Sequence, residues 1–186
     1  FGSQSFVFSI SEDITVPVVN GIANFTDIPI YEGTLLTSNF TYSSRNPNQK
    51  YILPNSGIDT ALLRVTVQSS QSSTQKVKYS AQDDLFELGS SSKVYFLQEI
   101  ENERYELFFG DGVFGQALEE GNYITANYIV SNGDSANGVS QFSYSGRITY
   151  TRNSIEYTVT SGISLLNTGI ISTGGESIES VESIKK

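Results

Sequence analysis

The sequence predicts a mainly β fold: one or two antiparallel, sandwich-like modules followed by the start of a C-terminal helix. Three observations predict it. In the clearest runs apolar residues recur at every second position: Leu63, Val65 and Val67 against Arg64, Thr66 and Gln68, and Tyr105, Leu107 and Phe109 against Glu106 and Phe108. That is the period of a pleated strand. Between such runs stand Asn20-Gly21, Gly110-Asp111-Gly112 and Asn132-Gly133-Asp134, residue types that accept the positive φ of a tight reversal. Helical periodicity appears only in the tail, after Thr173.

Taken in order, Phe6-Val7-Phe8 and Ile14 to Val19 read as short strands, the second at an edge because Pro17 cannot donate a ladder hydrogen bond. Asn20-Gly21 marks a hairpin into Ile22 to Tyr31, and Glu32-Gly33 turns the chain into Thr34 to Tyr42. Arg45 to Ser56 reads as a loop around a short apolar stretch, Tyr51-Ile52-Leu53. After the strand centred on Val65, Ser69 to Gln75 is a solvated tip and Val77 to Ser80 a short return. Asp83 to Leu88 is ambiguous between a helical turn and a bend. Lys93 to Glu99 is a strand that turns through Glu101-Asn102-Glu103 into Tyr105 to Phe109.

The stretch from Tyr105 to Val130 organises the chain. Its first strand breaks at Gly110-Asp111-Gly112, and a second, Tyr123 to Val130, stops at Asn132-Gly133-Asp134. Beyond Gly138, Phe142 to Tyr144, Ile148 to Thr151 and Ile155 to Val159 are strand candidates. Turns are expected at Gly146 and Arg152-Asn153, and Tyr144, Ile148, Tyr150, Tyr157 and Val159 are expected to form the buried face. Ile163 to Ile171 is apolar but holds Asn167 and Gly169, so it reads as irregular or strand. Thr173 with Glu176 makes a capping box, and Ile178, Val181 and Ile184 form a stripe at helical spacing. The divisions expected are an N-terminal β-rich segment over 1–57, a central β-sandwich-like module over 58–172 and the helix start over 173–186.

Composition narrows the chemistry. The 186 residues contain no methionine, so the chain is expected to be an internal or C-terminal piece of a larger protein. Eleven lysines and arginines face 20 acidic residues, a formal charge of −9, which repels phosphate backbones and anionic headgroups. Nucleic acid and membrane are therefore not expected as partners. Without cysteine there are no disulfides or thiolate metal sites, and without histidine there is no Ser-His-Asp chemistry and no imidazole-ligated zinc. No apolar run approaches the ~18 residues of a membrane span.

Several motifs in order carry a resemblance. They are Leu53-Pro54-Asn55 with Ile58-Asp59-Thr60 and the strand from Leu63 to Val67; Phe109-Gly110-Asp111-Gly112 with Gly115, Gly121-Asn122 and Tyr128; Asn132-Gly133 through Ala136-Asn137-Gly138; and Gly174-Gly175-Glu176 leading to Ile178-Glu179. From Asp27 to the end the chain resembles the baseplate wedge subunit of T-even-type contractile phage tails, within the broader baseplate-J-like family. Residues 1–26 and the insert from Gly146 to Val159 match that pattern least. The resemblance implies a virion structural protein of the tail baseplate, assembled in the host cytoplasm and partnered by copies of itself and other wedge proteins. It also implies a ring around the tail hub that rearranges on contraction, with no cofactor and no small-molecule substrate.

Against that stand other chemistries. Asp111 lacks the further Asp/Asn positions and closing Glu of a calcium loop, and no Walker lysine follows it. It is assigned, with Gly110 and Gly112, to a structural turn. Glu119-Glu120, Asp83-Asp84 and the acids from Glu99 to Glu106 could furnish the two carboxylates of a glycosidase, but each cluster sits beside a turn signal. Eleven tyrosines and 11 phenylalanines are compatible with a glycan- or host-binding β-module of a phage or surface appendage. No residue is assigned a catalytic, cofactor-binding or metal-ligating role. Phe108, on the face opposite Leu107, and the stripe Ile178, Val181 and Ile184 are the candidate interface residues.

Overall fold

The computed structural model describes residues 4–84, 88–166 and 169–176. The chain divides into two compact units, Phe1–Asn132 and Gly133–Lys186. In the first, β1 (Phe8–Ser9) pairs with β4 (Tyr31–Glu32), and β2 (Val18–Val19) with β3 (Ile22–Ala23) across Asn20-Gly21. Both turn residues have positive φ, 52° and 79°, as the hairpin signal in the sequence requires.

The rest of this unit is one seven-stranded sheet. Its strands are β5 (Thr34–Thr41), β6 (Tyr51–Leu53), β7 (Ile58–Gln68), β8 (Val77–Ala81), β9 (Val94–Ile100), β10 (Arg104–Phe109) and β11 (Tyr123–Val130), in the order β5-β11-β7-β8-β9-β10-β6. The mainly β fold expected from the sequence is present. The sheet curls until its ends meet: Phe40 of β5 and Tyr51 of β6, on opposite edges, lie 5.5 Å apart at 77°. The facing layers are therefore two halves of a single sheet.

Every strand turns one face to a common core. Leu63, Val65, Val67, Tyr79, Tyr95, Leu107, Ile124, Ala126, Tyr128, Tyr51 and Leu53 are buried there, with Leu36 and Phe40 packed against them. Each fully buried side chain of this size contributes about 1.5–3 kcal/mol relative to exposure. All pairings are antiparallel except β8 with β9, where Ser80 and Ala81 register with Val94 and Tyr95 in parallel. A parallel neighbour needs a crossover rather than a tight turn, and residues 82–93 supply it. The ambiguous stretch Asp83 to Leu88 lies in this crossover, with 85–87 outside the described residues.

One irregularity explains a break in the sequence pattern. Along β11 the partners step from Arg64 opposite Asn127 to Asp59 opposite Ile129, so β7 bulges between Asp59 and Arg64. The bulge interrupts the alternation at Leu62 and Leu63, both of which are buried. Its loosened backbone groups find side-chain partners: Asp59 Oδ1 accepts from Ala61 N at 3.0 Å, and Arg64 Nη1 donates to Ala61 O and Leu63 O at 2.8 and 3.1 Å. The Tyr95 hydroxyl adds a long contact to Leu63 O at 3.4 Å. Tyr128, beside the bulge, is 1 % exposed, and its hydroxyl donates to Asn55 Oδ1 at 2.8 Å and lies 3.0 Å from Ser38 Oγ.

In the second unit a 3₁₀ turn, Gly133–Ala136, precedes a hairpin of β12 (Thr149–Arg152) and β13 (Ile155–Thr158). The reversal falls at Asn153-Ser154, with φ of 52° and 62°, one residue beyond the Arg152-Asn153 expected. The strand expected at Phe142 to Tyr144 does not form, and Ile163 to Ile171 is irregular where described. Nor do the expected inward residues bury: Tyr144, Tyr150 and Tyr157 are exposed, and both strands are exposed throughout. Among the described residues no second layer covers either face of this two-stranded ribbon. Tyr150 and Tyr157 instead stack on each other at 5.2 Å. Thr173 to Glu176 carries no regular structure. The rest of the predicted helix, with Ile178, Val181 and Ile184, lies outside the described residues.

Candidate interaction surfaces

The turn at Gly110-Asp111-Gly112 is the start of a compact loop running to Leu118. Asp111 Oδ1 accepts from the backbone N–H groups of Val113 and Phe114, both at 2.8 Å, while Gly112 N donates to Gly115 O at 3.0 Å. Gly110 bridges Ala117 in parallel, and Gly115 N and Gln116 N donate to Gly89 O and Ser92 O. The two outer glycines serve different needs. Gly112 has φ +89°, whereas Gly110 is required by space, because a methyl there would overlap the backbone of Gly115. Bonds from the Phe114 and Val113 amides hold the Asp111 carboxyl below its usual range. The loop presents Val113 and Phe114, 64 % and 44 % exposed, at its tip.

Phe108 points out of the sheet, 40 % exposed and in register with Phe96 of β9. Its neighbour on that outward face, Glu106, is nonetheless buried and accepts from Lys50 Nζ at 3.3 Å. The outward face of β10 thus offers one ring beside one satisfied carboxylate. Among the described residues none covers Phe108 enough to bury it, whereas Leu107 on the inner face is 1 % exposed.

The acidic residues fasten loops. Glu120 accepts from Ser44 N and Oγ at 2.5 and 2.7 Å and from Ser43 Oγ at 3.2 Å, tying the segment after β5 to the one before β11. Those bonds, the Ser44 hydroxyl first, lower its pKa. Glu12 joins Arg64 Nε at 2.8 Å to Lys78 Nζ at 3.1 Å, and these partners, Arg64 first, lower its pKa as well. Glu32 accepts from Ser131 Oγ, Asn132 N and Asn132 Nδ2 at 2.6–3.0 Å. Sequence reading missed these fasteners because the partners of Glu32 lie 99 and 100 residues away, with no local pattern to announce them. Among the described residues no three acids gather as a metal-holding group.

In the second unit the structure brings together two of the motifs that carried the resemblance. Asn137 Nδ2 donates to Gly175 O at 2.9 Å and Asn137 Oδ1 accepts from Gly175 N at 3.0 Å. A side chain at Gly175 would strike the Gly133 carbonyl. Ser172 completes the clasp, exchanging backbone bonds with Gly138 and Val139 at 2.9 Å and donating from Oγ to Ala136 O at 2.5 Å. Beyond this clasp the unit exposes Tyr144, Ile155, Ile163, Leu165, Leu166, Ile170 and Ile171. Among its described residues Ala136 is the one buried apolar side chain.

Against known families, the model of the bacteriophage baseplate wedge protein gp6, third domain, matches residues 34–144. That span takes in all seven strands of the curled sheet, the Gly110 loop and the Asn137 side of the clasp. No curated protein matches the chain.

Proposed function

The chain belongs to the family of the bacteriophage baseplate wedge protein gp6, third domain, and from that premise we propose that it associates with copies of itself and with other wedge proteins in the ring around a contractile tail hub. A structural role in the baseplate wedge follows from the family itself. The assembly route and its rearrangement on contraction are part of the proposal, as are assembly in the host cytoplasm, the wider baseplate-J-like kinship and the chain's being a segment of a longer wedge subunit. The extent of the match, the whole curled sheet, carries the assignment. Surface chemistry supports it. Phe108, Val113, Phe114 and the apolar residues of the second unit stand in water, and exposed apolar groups of this size gain stability when a partner covers them. The working principle is then burial between subunits, without bond chemistry, with Gly110, Asp111 and Gly112 holding the loop that presents Phe114.

Sedimentation of the parent protein, alone and mixed with the other wedge proteins, tests this. A stoichiometric complex larger than any component is expected. A parent that sediments as a monomer in both cases contradicts it.

A further inference from the structure

Where the two edges of the curled sheet meet, a cleft of ≈ 300 Å³ opens between Tyr42, Asn46, Tyr51, Phe109, Asp111 and Leu118. Tyr51 is the most deeply buried tyrosine in its lining. The ring is only 7 % exposed, packed edge-on against Phe40 and against Phe109 at 5.6 Å and 88°. Its hydroxyl has no hydrogen-bond partner among the described residues, yet no fully occluded side-chain oxygen there lacks one. The Tyr51 hydroxyl therefore keeps some access to solvent, and Tyr51 lines the cleft. Burial, and then the neighbouring Tyr42, push its pKa up to about 12, so it is neutral at physiological pH.

Two further polar groups of the lining are unspent. The Tyr42 hydroxyl and the Asn46 side chain make no hydrogen bond among the described residues. Asp111 commits Oδ1 to the Val113 and Phe114 amides, and no side chain among the described residues bonds its carboxylate. Gln49, also in the wall, is held rigid by Ser43 N at 3.0 Å and Thr41 O at 2.6 Å. Asp111 is the one charged group in the lining, and Lys50 nearby in sequence is engaged with Glu106. A flat sugar ring would want an open aromatic face, but the Tyr51 ring is closed in by Phe40 and Phe109. Carboxylate, phenolic oxygens and aromatic walls around a narrow space are instead the surroundings that stabilise a cation.

We infer that this cleft receives a lysine or arginine side chain from a neighbouring baseplate protein: the cationic head meets Asp111 Oδ2 and the Tyr42 and Tyr51 oxygens, and the alkyl stem lies along Phe109 and Leu118. The inference rests on the assembly role proposed above and names one anchor within it. The net charge of −9 favours the approach of such a partner, and a single buried arginine among aromatics is a common hot spot.

Titration of the isotopically labelled chain with N-acetyl-arginine methylamide, followed by amide chemical shifts, tests it. Saturable shifts are expected at Tyr42, Tyr51, Asp111 and Leu118, with a dissociation constant on the order of 1–10 mM. The neutral citrulline analogue, and the variant Asp111→Asn, which keeps the Oδ1 acceptor of the loop, are each expected to weaken binding about tenfold. No saturable shift, an equal response to the citrulline analogue, or a stronger response to methyl glucoside overturns it. Sedimentation of the Asp111→Asn parent with the wedge proteins separates the two claims. A complex that forms normally without cation binding removes the anchor and leaves the assembly role standing.

Discussion

Replacing Gly110 by alanine isolates what holds the central loop. Gly110 has no positive φ to lose, so the whole effect comes from a methyl group driven into the Gly115 backbone, which has no flexible end to move aside. The loop must open. Opening it disrupts the Gly112 N to Gly115 O bond and the two bonds from Val113 N and Phe114 N to Asp111. At a net of roughly 0.5–1.5 kcal/mol each, the three sum to about 1.5–4.5 kcal/mol. Gly112→Ala is the control: its nearest contact would be Ala117 Cβ at 3.7 Å, so it bears only the strain of φ +89°, about 1 kcal/mol. Urea unfolding of both variants reads the difference through the midpoint at unchanged slope. If Gly110→Ala is no less stable than Gly112→Ala, the close approach of Gly110 and Gly115 does not hold this loop.

Tyr128→Phe removes a buried hydroxyl from Asn55 and Ser38 and is expected to lower stability by about 1–3 kcal/mol; calorimetry showing no loss would mean those groups find water instead. Because Asp111, Glu12 and Glu120 have pKa values lowered by folding, their stabilisation is complete above the unfolded carboxylate range of about 4–4.5 and lost as pH falls through the folded values. The melting temperature should therefore drop on going from pH 5 towards roughly pH 3, less steeply in Glu120→Gln, and a flat profile would contradict this. Tyr51, Tyr79 and Tyr95 are shifted the other way, chiefly by burial. Their contribution is present below about pH 10 and disappears as pH rises through the folded values, so absorbance at the phenolate band should show late ionisation coupled to unfolding. In the second unit, Ser154→Gly relieves a non-glycine φ of +62° and should slow exchange of the Val159 amide, which donates to Ile148 O, by about three- to tenfold.

Local signals carried most of the sheet. Leu63, Val65 and Val67 alternate because one face of β7 is inside, and Asn20-Gly21 turns because both residues accept positive φ. What stayed hidden depended on distant partners. Tyr51-Ile52-Leu53 is too short to announce a strand, yet it is the edge whose register against Tyr105 to Leu107 completes the curl. The bulge at Leu62 cannot be seen without the register of β11. In the second unit alternation misled, since Tyr150 and Tyr157 recur at strand spacing with no layer to bury them. The Gly110-Asp111-Gly112 turn was legible as a turn, whereas the overlap with Gly115 and the cleft against Tyr51 arise only when the chain closes on itself.

Hydroxyl-radical footprinting of the free chain and of assembled baseplates containing its parent reads side-chain cover directly. Tyr128 and Leu107, already closed in the free chain, are the internal reference. Oxidation of Phe108, Phe114, Tyr150 and Tyr157 is expected to fall several-fold on assembly, as these exposed rings become subunit contacts. Equal oxidation of all four in the free and assembled states would mean that this surface is not what holds the wedge together.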